Sequence, residues 1–302
     1  GLIIFGQVAV RQGVVVVSST FGTLERGPLM SPIRTRKVRV ALMLGLCLAP
    51  AAVGQAAIIF VDADATGANN GTSWTDAYKE LQSALAVAVS SSEIWVAEGT
   101  YKPDYSTTSG SYTLDRCAEF YLKDGVALYG GFAGADSAQH PGGETQCDQR
   151  DPLANETILS GDLLGDDVGG FEALVCLSDQ TVPPAPACLV YDADEDGKVE
   201  SDDLKTSDNS HRVVVATGIG STAVLDGFTI TAGFAAESSS CGTSGAGIYV
   251  LSASPTINNC KVVGNAAVWG GGLYVNNTTG LTLNGCSFVG NRGLEGGGGA
   301  LL

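Results

Sequence analysis

Gly245-Ala-Gly-Ile-Tyr-Val250, Gly270-Gly-Gly-Leu-Tyr-Val275 and Gly297-Gly-Gly-Ala-Leu-Leu302 decide the fold, because one motif returns after 25 and then 27 residues. A second motif keeps the same period: Cys260-Lys-Val-Val-Gly-Asn265 returns as Cys286-Ser-Phe-Val-Gly-Asn291 after 26. Two different motifs sharing one period imply a structural coil. A rung of this length holds three short strands and three turns, and rungs stacked at ~4.8 Å pair each strand in parallel with its successor. The expectation is an all-β chain, a right-handed parallel β-helix or solenoid. Alternation in Ile257-Asn-Asn-Cys-Lys-Val and Leu281-Thr-Leu-Asn-Gly-Cys sends every second side chain inward. Phe228, Cys260 and Cys286 then share one interior column, and Asn265 stacks over Asn291 as an amide ladder. Glycines serve where the backbone needs positive φ or leaves no room for a Cβ. Leucine-rich repeats would need a Leu/Asn consensus that is absent, and a propeller blade of roughly 40–45 residues is too long.

Towards the N-terminus the period gives way to short strand-like pieces bounded by turn residues: Ile94–Ala97, Phe120–Leu122, Val126–Tyr129, Thr157–Leu159, Arg212–Ala216 and Ala223–Leu225. Residues 161–210 interrupt them with acid, Pro and Cys and read as an insertion between rungs. Residues 57–135 read as an N-terminal cap with the first rungs, and residues 136–302 as the remaining β-helix. The cap opens on the strand Ile58–Val61. A helix then runs from about Asp76 to Val89, capped by Thr75 or Ser73, with Tyr78, Leu81, Leu85 and Ala88 as its buried stripe. A solenoid needs such a terminal element to cover its apolar core and strand edges.

The basic cluster Arg34–Arg39 runs into the uncharged apolar stretch Val40–Val53 and then Gly54-Gln55-Ala56-Ala57. That order is a secretory signal peptide, placed at residues 30–56. Its apolar part is short of the roughly 20 residues of a membrane span. Residues 1–29, ahead of Met30, read as an upstream extension, and Leu302 falls inside a rung, as in a piece of a longer protein. After signal removal no transmembrane span is expected, and the chain is exported, extracellular or cell-surface. Beyond residue 56 there are 10 basic against 31 acidic residues, a net charge of about −21. Such a surface repels nucleic acid and anionic membranes. Seven cysteines follow the signal, an odd number for an oxidising compartment. Cys117 with Cys147 and Cys176 with Cys188 are the pairs expected first, since each closes a loop within one region.

The sharpest chemical motif lies inside the insertion, from Asp192-Ala-Asp194-Glu-Asp196-Gly197-Lys198 to Val199-Glu200-Ser-Asp-Asp203. A twelve-residue calcium loop wants oxygen donors at positions 1, 3, 5, 7, 9 and 12, with Gly at 6. Asp192, Asp194 and Asp196 offer carboxylates, Lys198 its carbonyl, Glu200 a direct or water-mediated contact, and Asp203 the closing carboxylate. The expected ion is structural Ca2+, ordering the insertion. The loop resembles the EF-hand and, through Asp at position 12 followed by Leu204, the dockerin type I repeat. It departs from both in being single.

Other polar residues read as structural. Asp166-Asp167 is the only carboxylate pair outside that loop and sits on irregular chain, where adjacent acids are ordinarily solvated. His140 and His211 have no partner at a recognisable spacing, and Arg212 and Arg292 read as surface or ladder groups. Trp74, Trp95 and Trp269 can face sugar rings, although Trp95 lies in an apolar strand and reads as core. Asn155-Glu-Thr157 and Asn277-Thr-Thr279 fit the N-glycosylation pattern, but β-turns need Asn and Thr in any case.

Gly298-Gly-Ala-Leu301 and Phe288-Val-Gly-Asn291 resemble the repeats of the polymorphic outer membrane proteins, a family of bacterial surface β-helices. The segments Phe60-Val-Asp-Ala, Gly71-Thr-Ser-Trp-Thr75, Ile94-Trp-Val-Ala-Glu-Gly-Thr-Tyr-Lys102 and Leu128-Tyr-Gly-Gly-Phe132 resemble the N-terminal part of exported pectin-lyase-like β-helix proteins. These resemblances imply a non-catalytic scaffold for adhesion or carbohydrate contact, with polysaccharide or surface proteins as partners. They also imply an alternative, a polysaccharide lyase or glycoside hydrolase, and the calcium loop implies a third, a dockerin-like docking module.

Overall fold

A computed structural model describes residues 5–11, 14–20, 57–167, 206–235, 240–278 and 280–301. The chain divides into two units, residues 1–51 and 52–302. In the first, Phe5–Arg11 pairs antiparallel with Val14–Thr20, from Phe5 opposite Thr20 to Arg11 opposite Val14.

The second unit is mostly parallel strands in four stacked sheets. Sheet I runs in the order Thr282–Asn284, Thr256–Asn258, Val224–Asp226, Ala127–Phe132, Glu93–Ala97, Ile58–Val61. Sheet II runs Ser287–Val289, Lys261–Val263, Phe228–Thr231, Thr157–Ser160, Gly99–Tyr101. Sheet III joins Phe234–Ala235, Ala266–Trp269 and Arg292–Gly296. Sheet IV runs Ala300–Leu301, Leu273–Asn276, Ile248–Leu251, Val214–Thr217, Phe120–Tyr121. From Val224 onward the chain visits sheets I, II, III and IV in that order three times. Each visit pairs in parallel with the one before.

Like residues stack over like in these circuits. Ile248 pairs with Leu273, Thr256 with Thr282, Ile257 with Leu283 and Val263 with Val289, although Lys261 stands over Ser287. Alternate residues point inward: Ile248 and Val250 are buried, Tyr249 and Leu251 only partly. The inward columns merge into one core containing Leu128, Leu225, Ile257, Phe228, Cys260 and Val262. Each fully buried aliphatic side chain there contributes about 1.5–3 kcal/mol.

The repeated glycines have two separate causes. Gly245, Gly270 and Gly297 hold φ of 69°, 60° and 57°, a left-handed turn that L side chains resist. Gly247 and Gly272 are crowded instead: a Cβ would stand 2.6 Å and 2.5 Å from the carbonyl oxygens of Gly272 and Gly299.

Asparagine supplies the buried polar column. Asn265 Oδ1 accepts the Gly233 N–H (2.9 Å), and Asn291 Oδ1 accepts the Asn265 N–H (3.1 Å). Asn265 Nδ2 donates to Ile230 O (3.0 Å), Val263 O (3.1 Å) and Asn291 Oδ1 (2.9 Å). Outside, Tyr249 and Tyr274 stack with ring centroids 5.5 Å apart, and the Arg212 guanidinium lies 3.8 Å from the Tyr249 centroid.

Two expectations are corrected. The cap helix covers only Leu81–Val87, since Tyr78 is spent on a strand-like bridge: its N–H donates to Phe60 O and its carbonyl accepts from Asp62 N–H. Ser73 accordingly bonds the Asp76 N–H (3.1 Å) as a local turn, not as the helix cap. The disulfide of Cys117 is with Cys241, 124 residues away, at a Cα separation of 5.4 Å, and Cys147 is a free thiol. Both partners precede strands of sheet IV, so stacking brings together what the chain keeps apart. Cys176 and Cys188 lie outside the described residues.

Trp74 and Trp95 are core residues. They pack with Phe60 and Phe132, Trp95 stacking on Phe132 at 4.8 Å, and Trp74 Nε1 donates to Glu144 O (2.8 Å). Asn277 holds a φ of 52°, in keeping with a turn residue.

Candidate metal centre

The calcium-loop residues Asp192, Asp194, Asp196, Lys198, Glu200 and Asp203 lie outside the described residues, as do the signal segment 30–56 and most of the insertion. Both roots of that insertion are described. They occupy the corner between the sheet II strand Thr157–Ser160 and the sheet IV strand Val214–Thr217, where later circuits place sheet III.

The outgoing root is Asp162-Leu-Leu-Gly-Asp-Asp167. The Asp162 carboxylate closes the turn. Oδ1 accepts the N–H groups of Gly165 (2.5 Å) and Asp166 (3.2 Å), and Oδ2 that of Asp167 (3.3 Å). Gly165 makes the turn feasible with a φ of 77°. The returning root, Thr206–Asp208, is one 3-10 turn. Asp208 Oδ2 reaches across to the Leu164 N–H (2.8 Å), tying the two roots together.

Asp162, Asp166 and Asp208 thereby each bring a carboxylate oxygen within 4.8 Å of the others. Ca2+ holds oxygens at about 2.3–2.6 Å, so ligands on opposite sides of one ion stand roughly 5 Å apart, and the triad fits that span. Asp167 adds a fourth carboxyl. Burial pushes it up to about 7; the Asn209 hydrogen bond opposes this, while the charges of Asp162, Asp208 and Asp166 add to it. Asn209 Nδ2 donates to Asp167 Oδ2 (2.9 Å) and Ala232 O (2.9 Å). Two cations flank the cluster, Lys102 bonded to Leu163 O (3.0 Å) and Arg116 to Asn209 O (2.7 Å).

The expectation that Asp166-Asp167 is a solvated pair is thus revised: both are half-buried. Asp162, Asp208 and Asn209 carried no signal in the sequence. They match no spacing rule, because the chain leaves the corner and returns to it about 40 residues later.

A concavity of about 400 Å³ opens between the cap helix and the hairpin of Tyr105–Ser106 with Ser111–Tyr112, lined by Gln82, Leu85, Tyr105, Glu119, Tyr121 and Lys123. Burial raises the Glu119 carboxyl, against the Tyr121 hydroxyl and Arg212, whose Nη1 lies 3.6 Å from Glu119 Oε1. His211 is buried, its N–H donating to Arg116 O (2.8 Å), a structural position. No protein-family model, curated protein or solved structure matches the chain.

Proposed function

We propose that this chain is part of a non-catalytic exported or cell-surface scaffold, a right-handed parallel β-helix presenting long sheet faces for adhesion or carbohydrate contact. Calcium in the 192–203 loop serves the same end by ordering the insertion. The observation that carries this reading is the stacking of like on like through the last three circuits, with Thr256 on Thr282, Tyr249 on Tyr274 and Asn265 on Asn291. A stack built this way keeps its shape whatever stands outward, so the face can be long, rigid and variable, which suits repeated weak contacts with an extended partner.

One observation favours a second reading. A carboxyl raised to about 7 beside other acids is the electrostatic arrangement of an acid–base pair, so Asp166 and Asp167 are where a glycoside hydrolase or lyase of this fold would work. Incubating the purified chain with a panel of immobilised acidic and neutral polysaccharides separates the two. The scaffold reading expects retention on at least one polymer with no new reducing or unsaturated ends. Chain cleavage that disappears in Asp167→Asn replaces it with the enzyme reading, and failure to bind any polymer or cell surface removes the contact role.

A further inference from the structure

Two free thiols, Cys260 and Cys286, stand on consecutive circuits of one interior column. The residues on either side of them are in register, Asn258 with Asn284 and Lys261 with Ser287. Backbone bonds lock that register, from Asn259 N–H to Asn284 O (2.8 Å) and from Ser287 N–H to Cys260 O (2.9 Å). Neighbouring strands lie about 4.8 Å apart, inside the Cα separation of about 4.4–6.8 Å that a disulfide spans. The side chains point the same way. Cys260 Sγ bonds Leu225 O (3.8 Å) and Cys286 Sγ bonds Ile257 O (3.4 Å), each a sheet I carbonyl one circuit behind, and the two thiols are hydrogen-bonded to each other. Beneath Cys260 the column holds buried Phe228, so its neighbour of like chemistry is Cys286. Access differs between the two: Cys260 is 2% exposed, whereas Cys286 is half-buried. The hydrogen bond from Cys260 holds the Cys286 thiol below the ordinary cysteine value, against the opposing effect of its partial burial.

We propose that Cys260 and Cys286 form a dithiol modification site, oxidised to a disulfide that staples two successive circuits, with Cys286 as the attacking and Cys260 as the resolving thiol. The oxidant is a low-molecular-weight disulfide. Cys286 gives its proton to water and attacks one sulfur of that molecule, whose S–S bond breaks. Cys286 becomes a mixed disulfide and one small thiolate leaves. This thiolate takes the Cys260 proton, and Cys260 Sγ attacks Cys286 Sγ, expelling the second small thiolate, which takes up the proton that Cys286 shed. Two protein thiols are oxidised, and one small disulfide is reduced to two thiols. Exposure sets the order of events, since an oxidant in solution reaches Cys286 and not Cys260. The inference does not rest on the scaffold reading: the exchange needs only the stack and a disulfide donor.

The test uses the full folded chain, equilibrated with oxidised glutathione near pH 8, alkylated and digested without reductant by trypsin and chymotrypsin. Cleavage after Tyr249, Lys261 and Leu283 puts Cys241, Cys260 and Cys286 on separate peptides, so mass spectrometry reads each pairing directly. The parent should yield the Cys260 and Cys286 peptides joined. Cys260→Ala should instead hold Cys286 as a stable glutathione adduct, because the resolving thiol is gone, while in Cys286→Ser the buried Cys260 should stay unmodified. Circular dichroism establishes that each variant is folded, and Cys286→Ser, altered at the half-buried position, serves as the reference for stability. The staple closes an interval of 26 residues, so the oxidised parent should melt about 5 °C above Cys286→Ser in the same buffer. Cys260 and Cys286 both alkylated after equilibration, a glutathione adduct on Cys286 that persists in the parent, or equal melting temperatures overturn the proposal.

Discussion

The circuits from Val224 to Leu301 and the corner at 161–167 with 206–211 are built by the same chain, yet they treat polar groups in opposite ways. In the circuits, Asn265 finds its partners one circuit behind and one ahead: Gly233 and Ile230 on one side, Asn291 on the other. At the corner the period is broken by the insertion, and Asp162, Asp166, Asp167, Asp208 and Asn209 crowd together with one another instead. Periodic stacking satisfies a buried amide without any special arrangement, since the next copy always stands where a partner is needed. An aperiodic corner has no next copy, so its carboxylates are met by local backbone N–H groups and a side-chain amide instead.

Substitutions can break this contrast or sharpen it, and their expected effects descend in size. Asn265→Ala should cost most, about 3 kcal/mol, because the Gly233 N–H and the Ile230 and Val263 carbonyls lose a partner in a dry interior. Urea denaturation measures it; a loss under about 1 kcal/mol would mean that water replaces the amide and the column is not essential. Gly272→Ala should cost about 2 kcal/mol through overpacking against the Gly299 carbonyl. The same substitution at Gly142, which has nothing within 4 Å of a Cβ but a φ of 89°, isolates the backbone cost from the steric one.

The corner should respond to pH through Asp167. An unfolded Asp titrates near about 3.9, whereas Asp167 is pushed up to about 7. Between those values the folded chain holds a proton that the unfolded chain has released. Stability therefore falls as pH rises through this window, and the full penalty stands above about pH 7. Asp167→Asn, in chelator, should gain about 1 kcal/mol near pH 8, allowing for solvent screening, and match the parent near pH 4. Identical pH profiles for the two would show that Asp167 is not held at a raised pKa. The smallest effect is expected at Asn284→Ala, on the outer face of sheet I. Its amide bond to Asn258 Oδ1 (2.9 Å) is exposed and contributes under about 0.5 kcal/mol.

Much of the stack was legible because its neighbours are arithmetic. Once the Gly-rich and Cys/Asn motifs share a period, Cys260 must approach Cys286 and Asn265 must approach Asn291, and the amide bond at 2.9 Å follows. Periodicity misled at Tyr78. Its helical spacing to Leu81 and Leu85 was real, but its backbone pairs with Phe60 and Asp62 instead, a tertiary demand overriding local pattern. Loop-closure reasoning misled at Cys117, since proximity in the chain counts for little in a coil that returns to the same corner every circuit.

The amino-acid sequence alone determined the period, the inward and outward alternation and the positions that only glycine or asparagine can fill. Each of these depends on what lies one repeat away along the chain, and that distance can be counted. The tertiary structure alone decided that Cys117 meets Cys241 and that Asp162, Asp166, Asp208 and Asn209 share one corner. Burial and charge repulsion are properties of what packs in space around a group, and where an insertion interrupts the repeat no interval along the chain encodes them.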